Sequence, residues 1–80
     1  MFVTDILQSE TECDRHYIGS TEDLERRFEE HNAGKCSHTA KYAPWSIKSY
    51  FAFREKGTAQ RFERYLKSGS GREFARRHFK

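Results

Sequence analysis

The chain has 80 residues and a net charge of +3 at pH 7, and seven Phe, four Tyr and one Trp stand among mostly polar residues. So short a chain makes one domain, residues 1–80, and buries only about 60–65% of the surface it exposes when unfolded, so its core must be compact and aromatic-rich. No run approaches the ~20 apolar residues of a membrane span, and the N-terminus lacks the basic and apolar regions of a signal peptide, so a cytoplasmic protein is expected.

Phe2 to Leu7 reads as a short strand, Gln8 to Asp14 as a turn, and Arg15 to Gly19 as a second strand, which suggests an antiparallel hairpin. Thr21 then offers an N-cap, with Glu22 and Asp23 where a helix dipole favours negative charge. Leu24, Phe28 and His31 recur at helical spacing, and Asn32-Ala33-Gly34 offers a C-terminus. Lys35 to Pro44 reads as a loop holding Cys36, His38, Lys41 and Tyr42. Trp45, Ile47, Phe51 and Phe53 alternate with Ser46, Lys48, Tyr50 and Ala52, which predicts a third strand whose apolar face is broken only at Ser49. Gly57-Thr58 starts a helix with Ala59, Phe62, Tyr65 and Leu66 on its apolar side, and Gly69 stops it. Ser70 followed by Glu73 has the spacing of a capping box, opening a last helix through Phe74 and Phe79.

The predicted order is β-β-α-β-α-α. It specifies an α+β domain in which helices cover a three-stranded antiparallel sheet.

Charge is unevenly spread. Residues 54–80 hold nine Lys/Arg against three Glu, and residues 1–53 hold six against nine Asp/Glu. A basic C-terminal third suits a polyanionic partner, although solvated helix faces are also often basic. Cys13 and Cys36 lie far apart, which fits two free thiols in a reducing compartment. Cys36 with His38 lacks a second Cys/His pair to complete a zinc site.

Several motifs follow one another in a specific order. Tyr17-Ile18-Gly19-Ser20-Thr21 is followed by Leu24, Arg27 and His31-Asn32-Ala33-Gly34-Lys35, then by His38-Thr39-Ala40-Lys41-Tyr42 and Pro44-Trp45. Glu63-Arg64-Tyr65-Leu66-Lys67-Ser68-Gly69-Ser70-Gly71 completes the series. From about residue 6 to the end this resembles the GIY-YIG nuclease superfamily. It looks like the small stand-alone bacterial members, which are similar to the endonuclease domain of the excision-repair excinuclease. The resemblance implies a metal-dependent endonuclease acting on DNA, in repair or processing, with Mg2+ or Mn2+ and no small-molecule cofactor.

The roles it implies suit these residue types. Glu63 would hold the metal, since one carboxylate plus waters suits Mg2+; the plainer reading is an i,i+4 pair with Lys67. Arg27 would grip a phosphate through its forked N–H groups, which lysine cannot do. Tyr17 would orient or deprotonate the attacking water, and a phenol acting as base at neutral pH needs cations beside it. The plainer reading is a core tyrosine. His31, one turn after Arg27, would support proton transfer, or would simply be a histidine favoured at a helix end. His38, Lys41, Tyr42 and Lys67 are candidates, with Arg27, for contacts to nucleic acid, Tyr42 by stacking on a base or sugar.

One position departs from the family's pattern. The tyrosine that ends the first strand triplet should fall where this chain has Asp5. The expected consequence is slow cleavage, or none, at low Mg2+, with Asp5→Tyr raising activity. A catalytically weakened domain that binds nucleic acid without cutting it is the alternative. The plainest reading has Asp5 end a frayed strand, pointing into solvent.

Overall fold

The computed structural model describes residues 1–79. Strands β1 (Phe2–Ser9) and β2 (His16–Thr21) form the hairpin, followed by α1 (Leu24–Asn32), a single helical turn α2 (Ser37–Ala40), β3 (Trp45–Phe53), α3 (Lys56–Lys67) and α4 (Gly69–His78). The sheet order is β2-β1-β3, with both pairings antiparallel. This is the predicted α+β architecture, with α2 added inside the stretch read as a loop. Lys80, one of the basic residues counted above, lies outside the described residues.

The central position of β1 explains its burial. Thr4, Asp5, Ile6 and Leu7 are all buried, although successive side chains leave opposite faces of a strand. Both faces of β1 must therefore be covered. Thr4 donates a 2.6 Å hydrogen bond to the Ala59 carbonyl of α3, and Asp5 meets Arg27 of α1. One face thus carries α3 and the other carries α1.

β3 serves both faces because it contains a bulge. Leu7 pairs with Ile47 but Ile6 pairs with Ser49, so Lys48 is the extra residue. Residues directly opposite in a ladder point to the same side, so the inserted residue reverses the alternation. Trp45 and Ile47 lie with Leu7 on the α1 face. Ser49, Phe51 and Phe53 lie on the α3 face, where Phe51 meets the Phe62 ring at 4.8 Å between centroids. The expected single apolar face of the third strand is therefore corrected to two half-faces, and Ile47 is left exposed.

On the α3 face the core is aromatic. Phe51 and Phe53 pack on Phe62, Tyr65 stacks on Phe62, and Phe74 meets Phe79. Ala59 and Leu66 are buried as the helical spacing requires, whereas Tyr65 keeps substantial exposure. α4 lies close enough to α3 that a Cβ at Gly71 would overlap the Tyr65 carbonyl.

Three helix starts differ from those expected. Asp23 caps α1, its carboxylate accepting from the Arg26 N–H, while Thr21 accepts from the Asp23 N–H one step earlier. α3 begins at Lys56 behind Glu55. Ser68 rather than Ser70 caps α4, accepting from the Gly71 N–H, and Glu73 pairs with Arg76 instead of reaching back to the cap.

Candidate active site

β1 and α1 together hold the central feature of the site. Arg27 Nε donates to both oxygens of Asp5, at 3.0 and 2.9 Å. Asp5 has no solvent exposure and the Arg27 side chain retains 15%. The solvent-facing reading of Asp5 is therefore overturned: the residue is interior because β1 is the middle strand. Burial raises the Asp5 carboxyl above its ordinary value, and the Arg27 charge and hydrogen bond oppose that rise only in part. Arg27 Nη2 is buried without a hydrogen-bond partner among the described residues. It lies against β2 at Gly19, where a Cβ would overlap it. Glycine at position 19 thus makes room for the guanidinium. With Nε committed to Asp5 and Nη2 shut in, Arg27 does not present the open fork expected of a phosphate clamp.

Tyr17 and His31 stand beside this pair. The Arg27 guanidinium lies 5.0 Å from the Tyr17 ring centroid, and the His31 ring centroid also lies 5.0 Å from it. Tyr17 faces α1 because its ladder partner, Leu7, does. His31 is buried, and its Nδ1 lies 2.7 Å from Thr39 Oγ1 of α2. The Thr39 hydroxyl is also 3.3 Å from the Cys36 carbonyl. Burial, followed by the Arg27 charge, lowers the His31 pKa, which favours the neutral ring. His31 thus stands in the last turn of α1, as the helix-end reading has it, and is also an interior residue that joins α1 to α2.

Glu63 reaches the cluster from the other face. Its i,i+4 pair with Lys67 is formed, with Lys67 Nζ donating to Oε2 at 2.9 Å, and 23% of its side chain is exposed. Burial works against the Glu63 carboxylate, but hydrogen bonds from Lys67 and Ser20 and the charges of Lys67 and Arg27 outweigh it and hold its pKa below the ordinary value. Ser20 and Gly19 are consecutive on β2, so Glu63 and Arg27 flank opposite faces of this edge strand. Their charges act on each other around that edge. The site is thus bent about the edge strand β2.

The donor set fits a hydrated divalent ion held by one protein carboxylate. Glu63 is ionised and partly exposed, and among the described residues its ion pair is with the surface Lys67, whereas both Asp5 oxygens are taken by Arg27. Among the described residues no three His, Cys, Asp or Glu side chains gather as metal ligands. That is compatible with Mg2+, which keeps most of its water shell.

The remaining candidates sit farther along the chain. Tyr42 is bracketed by two cations, with Arg15 at 4.6 Å and Lys41 at 5.2 Å from its ring centroid, and it meets Trp45 edge-on. Its ring is thus already occupied on the side these cations cover. His38 is exposed on α2, and Lys67 is tied to Glu63. Two residues escaped the reading of the sequence. Thr39 accepts from Trp45 Nε1 through its carbonyl while its hydroxyl meets His31. Asn32 clamps the start of β3, accepting from the Trp45 N–H and donating to the Trp45 carbonyl. Its position beside a helix end hinted at capping, and only the fold shows it bracing a strand.

No helix among the described residues is long and apolar enough to cross a membrane. Comparison with curated proteins finds no match. The GIY-YIG catalytic domain model, by contrast, matches residues 6–77, a span that begins on β1 and ends in α4 and includes Tyr17, Arg27, His31 and Glu63. The chain therefore belongs to the GIY-YIG nuclease superfamily.

Proposed function

We propose that this domain is a metal-dependent endonuclease hydrolysing DNA phosphodiester bonds, and that Asp5 holds its rate down. The supporting observation is the cluster itself: a strand tyrosine, a helix arginine and an ionised glutamate from a second helix meet at the edge of β2, though far apart in sequence. Glu63 would hold the Mg2+ or Mn2+ ion, which when bound would neutralise developing charge and supply an activated water. Tyr17, partly exposed beside a guanidinium, would orient that water. Arg27 would offer phosphate only the part of its guanidinium not engaged by Asp5 and β2. So small a domain has little surface for reading bases directly, which favours recognition of DNA structure over sequence. A role in DNA repair or processing accords with such recognition.

A second reading is favoured by the Asp5–Arg27 pair. A carboxylate bonded to the arginine cancels much of the charge that would stabilise a phosphorane-like transition state. The domain would then bind nucleic acid without cutting it. Incubating the purified protein with branched, nicked and linear DNA over a range of Mg2+ and Mn2+ concentrations decides between the two. Slow, metal-dependent cleavage that Glu63→Gln abolishes is expected. Salt-sensitive binding with no cleavage at any metal concentration would establish the second reading.

A further inference from the structure

Beyond the cluster at the edge of β2, the α3 face carries a cleft of about 640 Å3 between the sheet and α4. That size is typical of small-ligand sites, which span roughly 300–1,000 Å3. Tyr17 and Ile18 line it from β2, and Ala75 and Phe79 from α4 and its C-cap, above the buried side chains of Ile6 and Leu66. Its polar lining is strongly one-sided in charge. Lys48, Lys67, Arg72 and Arg76 contribute, Lys67 being paired with Glu63 and Arg76 with Glu73, against the carboxylate of Asp14 in the lining itself. Arg72 has no side-chain hydrogen bond or ion pair among the described residues. Lys48 Nζ lies 3.3 Å from His16 Nε2, and burial, then the Lys48 charge, lowers the His16 pKa, which favours a neutral ring accepting from the lysine. Cations thus stand on both walls, on β3 and on the helices.

Apolar walls between two sets of cations call for a flat apolar group joined to anions on either side. An unpaired nucleotide in a DNA strand has that form: a base with a π-face and a phosphate at each end. Lipid anions and simple polyanions each lack one half of the match. The cleft also adjoins the candidate site, because Lys67 lines it while bonding to Glu63 one helical turn away.

We propose that this cleft seats one unstacked nucleotide of the DNA strand next to the phosphate at Glu63. The proposal rests on the reading of this domain as DNA-acting, and it specifies the substrate class as DNA with a single-stranded segment beside the cut. A base stacked in an intact duplex cannot enter without first being extruded, which costs unpairing energy.

Binding without divalent metal tests it separately from cleavage. Fluorescence anisotropy at low salt would compare a short oligothymidylate, an abasic strand of equal length and charge, and a duplex of the same length. Oligothymidylate is expected to bind about 10-fold more tightly than the abasic strand, in line with one base stacked on a protein surface. Ala75→Phe fills the cleft and should remove that preference while leaving abasic affinity unchanged. Arg72→Gln should weaken both strands alike. In the unaltered protein, oligothymidylate should shift the Ala75 and Ile18 methyl resonances, and the abasic strand should not. Equal binding of the two single strands, tighter binding of duplex, or methyl shifts produced equally by the abasic strand would overturn the proposal. So would a poly-glutamate peptide outcompeting oligothymidylate, which would assign the cleft to acidic protein segments. None of these outcomes depends on cleavage, so an inactive protein leaves the test intact, and a failed cleft leaves the cleavage reading standing.

Discussion

The two faces of the sheet are held together by different physics. The α3 face is an aromatic stack of Phe51, Phe53, Phe62, Phe74 and Phe79, sealed by Leu66 at 0% exposure. The α1 face buries Leu7 and Trp45 but adds polar pairs, Asp5 with Arg27 and His31 with Thr39, and the exposed Asn32 holds the backbone of Trp45. Apolar packing is roughly proportional to the area buried and tolerates small changes in shape. Buried hydrogen bonds are directional and costly to leave half-made. In so small a domain one face supplies cohesion, and the other spends some of it on fixing Tyr17, Arg27 and His31 in place.

The largest break in that contrast should come from the aromatic side. Leu66→Ala removes a fully buried side chain and should cost about 3 kcal/mol, read as a lower urea midpoint with unchanged m-value. A domain of this size has only roughly 4–12 kcal/mol in total, so the variant should be visibly marginal.

Asn32→Ala probes the polar side. It removes little apolar area but orphans a part-buried N–H and carbonyl of Trp45, so about 1–2 kcal/mol should be lost. A loss as large as that of Leu66→Ala would mean that the polar face also provides the bulk of the cohesion.

Acidification should loosen the polar face first. The His31 pKa is lowered in the folded protein, so the unfolded chain takes up its proton more readily as pH falls. The stability that His31 contributes is therefore complete above about pH 6.5, the ordinary histidine value, and is lost as pH falls through the lower folded value. His16 shifts in the same direction and adds to this. Asp5, whose carboxyl is raised by burial, works in the opposite direction, so the His31 contribution is read as a difference: from pH 8 to pH 5 the urea midpoint should fall more in the unaltered protein than in His31→Gln. An unchanged decline in that variant would exclude His31 as a source.

The smallest expected effect on folding belongs to Glu63→Gln. Its ion pair with Lys67 is partly exposed, so stability should change by no more than about 0.5 kcal/mol. A larger loss would make Glu63 a structural residue and weaken the reading of it as a metal ligand.

Local signals made most of the fold legible in the sequence. Alternation and helical spacing located all three strands and the three longer helices, because those patterns are set by neighbours within a few residues. The bulge at Lys48 was not legible. Trp45, Ile47, Phe51 and Phe53 keep one parity throughout, and only Ser49 on that row marked the change of face. α2 is a single turn, too short for any periodicity. Thr21 and Ser70 offer the same capping chemistry within two residues of Asp23 and Ser68, so local sequence does not separate the caps from their neighbours. The motif residues of the site were readable, but their state was not. Asp5 and Arg27 are 22 positions apart, and nothing local tells that an aspartate at the end of a strand triplet will bond to a helix arginine in the middle of the domain.

Asp5→Asn shows whether Asp5 restrains Arg27. The amide keeps the shape of the carboxylate and an acceptor for Arg27 Nε, while removing the negative charge. Breaking a buried pair from one side costs about 3–5 kcal/mol when the remaining charge has no other outlet, so urea unfolding must first show that the variant remains folded. Cleavage of flap and nicked DNA is then compared with the unaltered protein across a Mg2+ titration. If Asp5 holds the activity down, the variant should cut about 10-fold faster at low Mg2+, as expected from removing one charge several ångströms from the phosphate in a partly shielded site. An equal or slower rate in a folded variant would contradict that claim and would make Asp5 the residue that keeps Arg27 correctly placed.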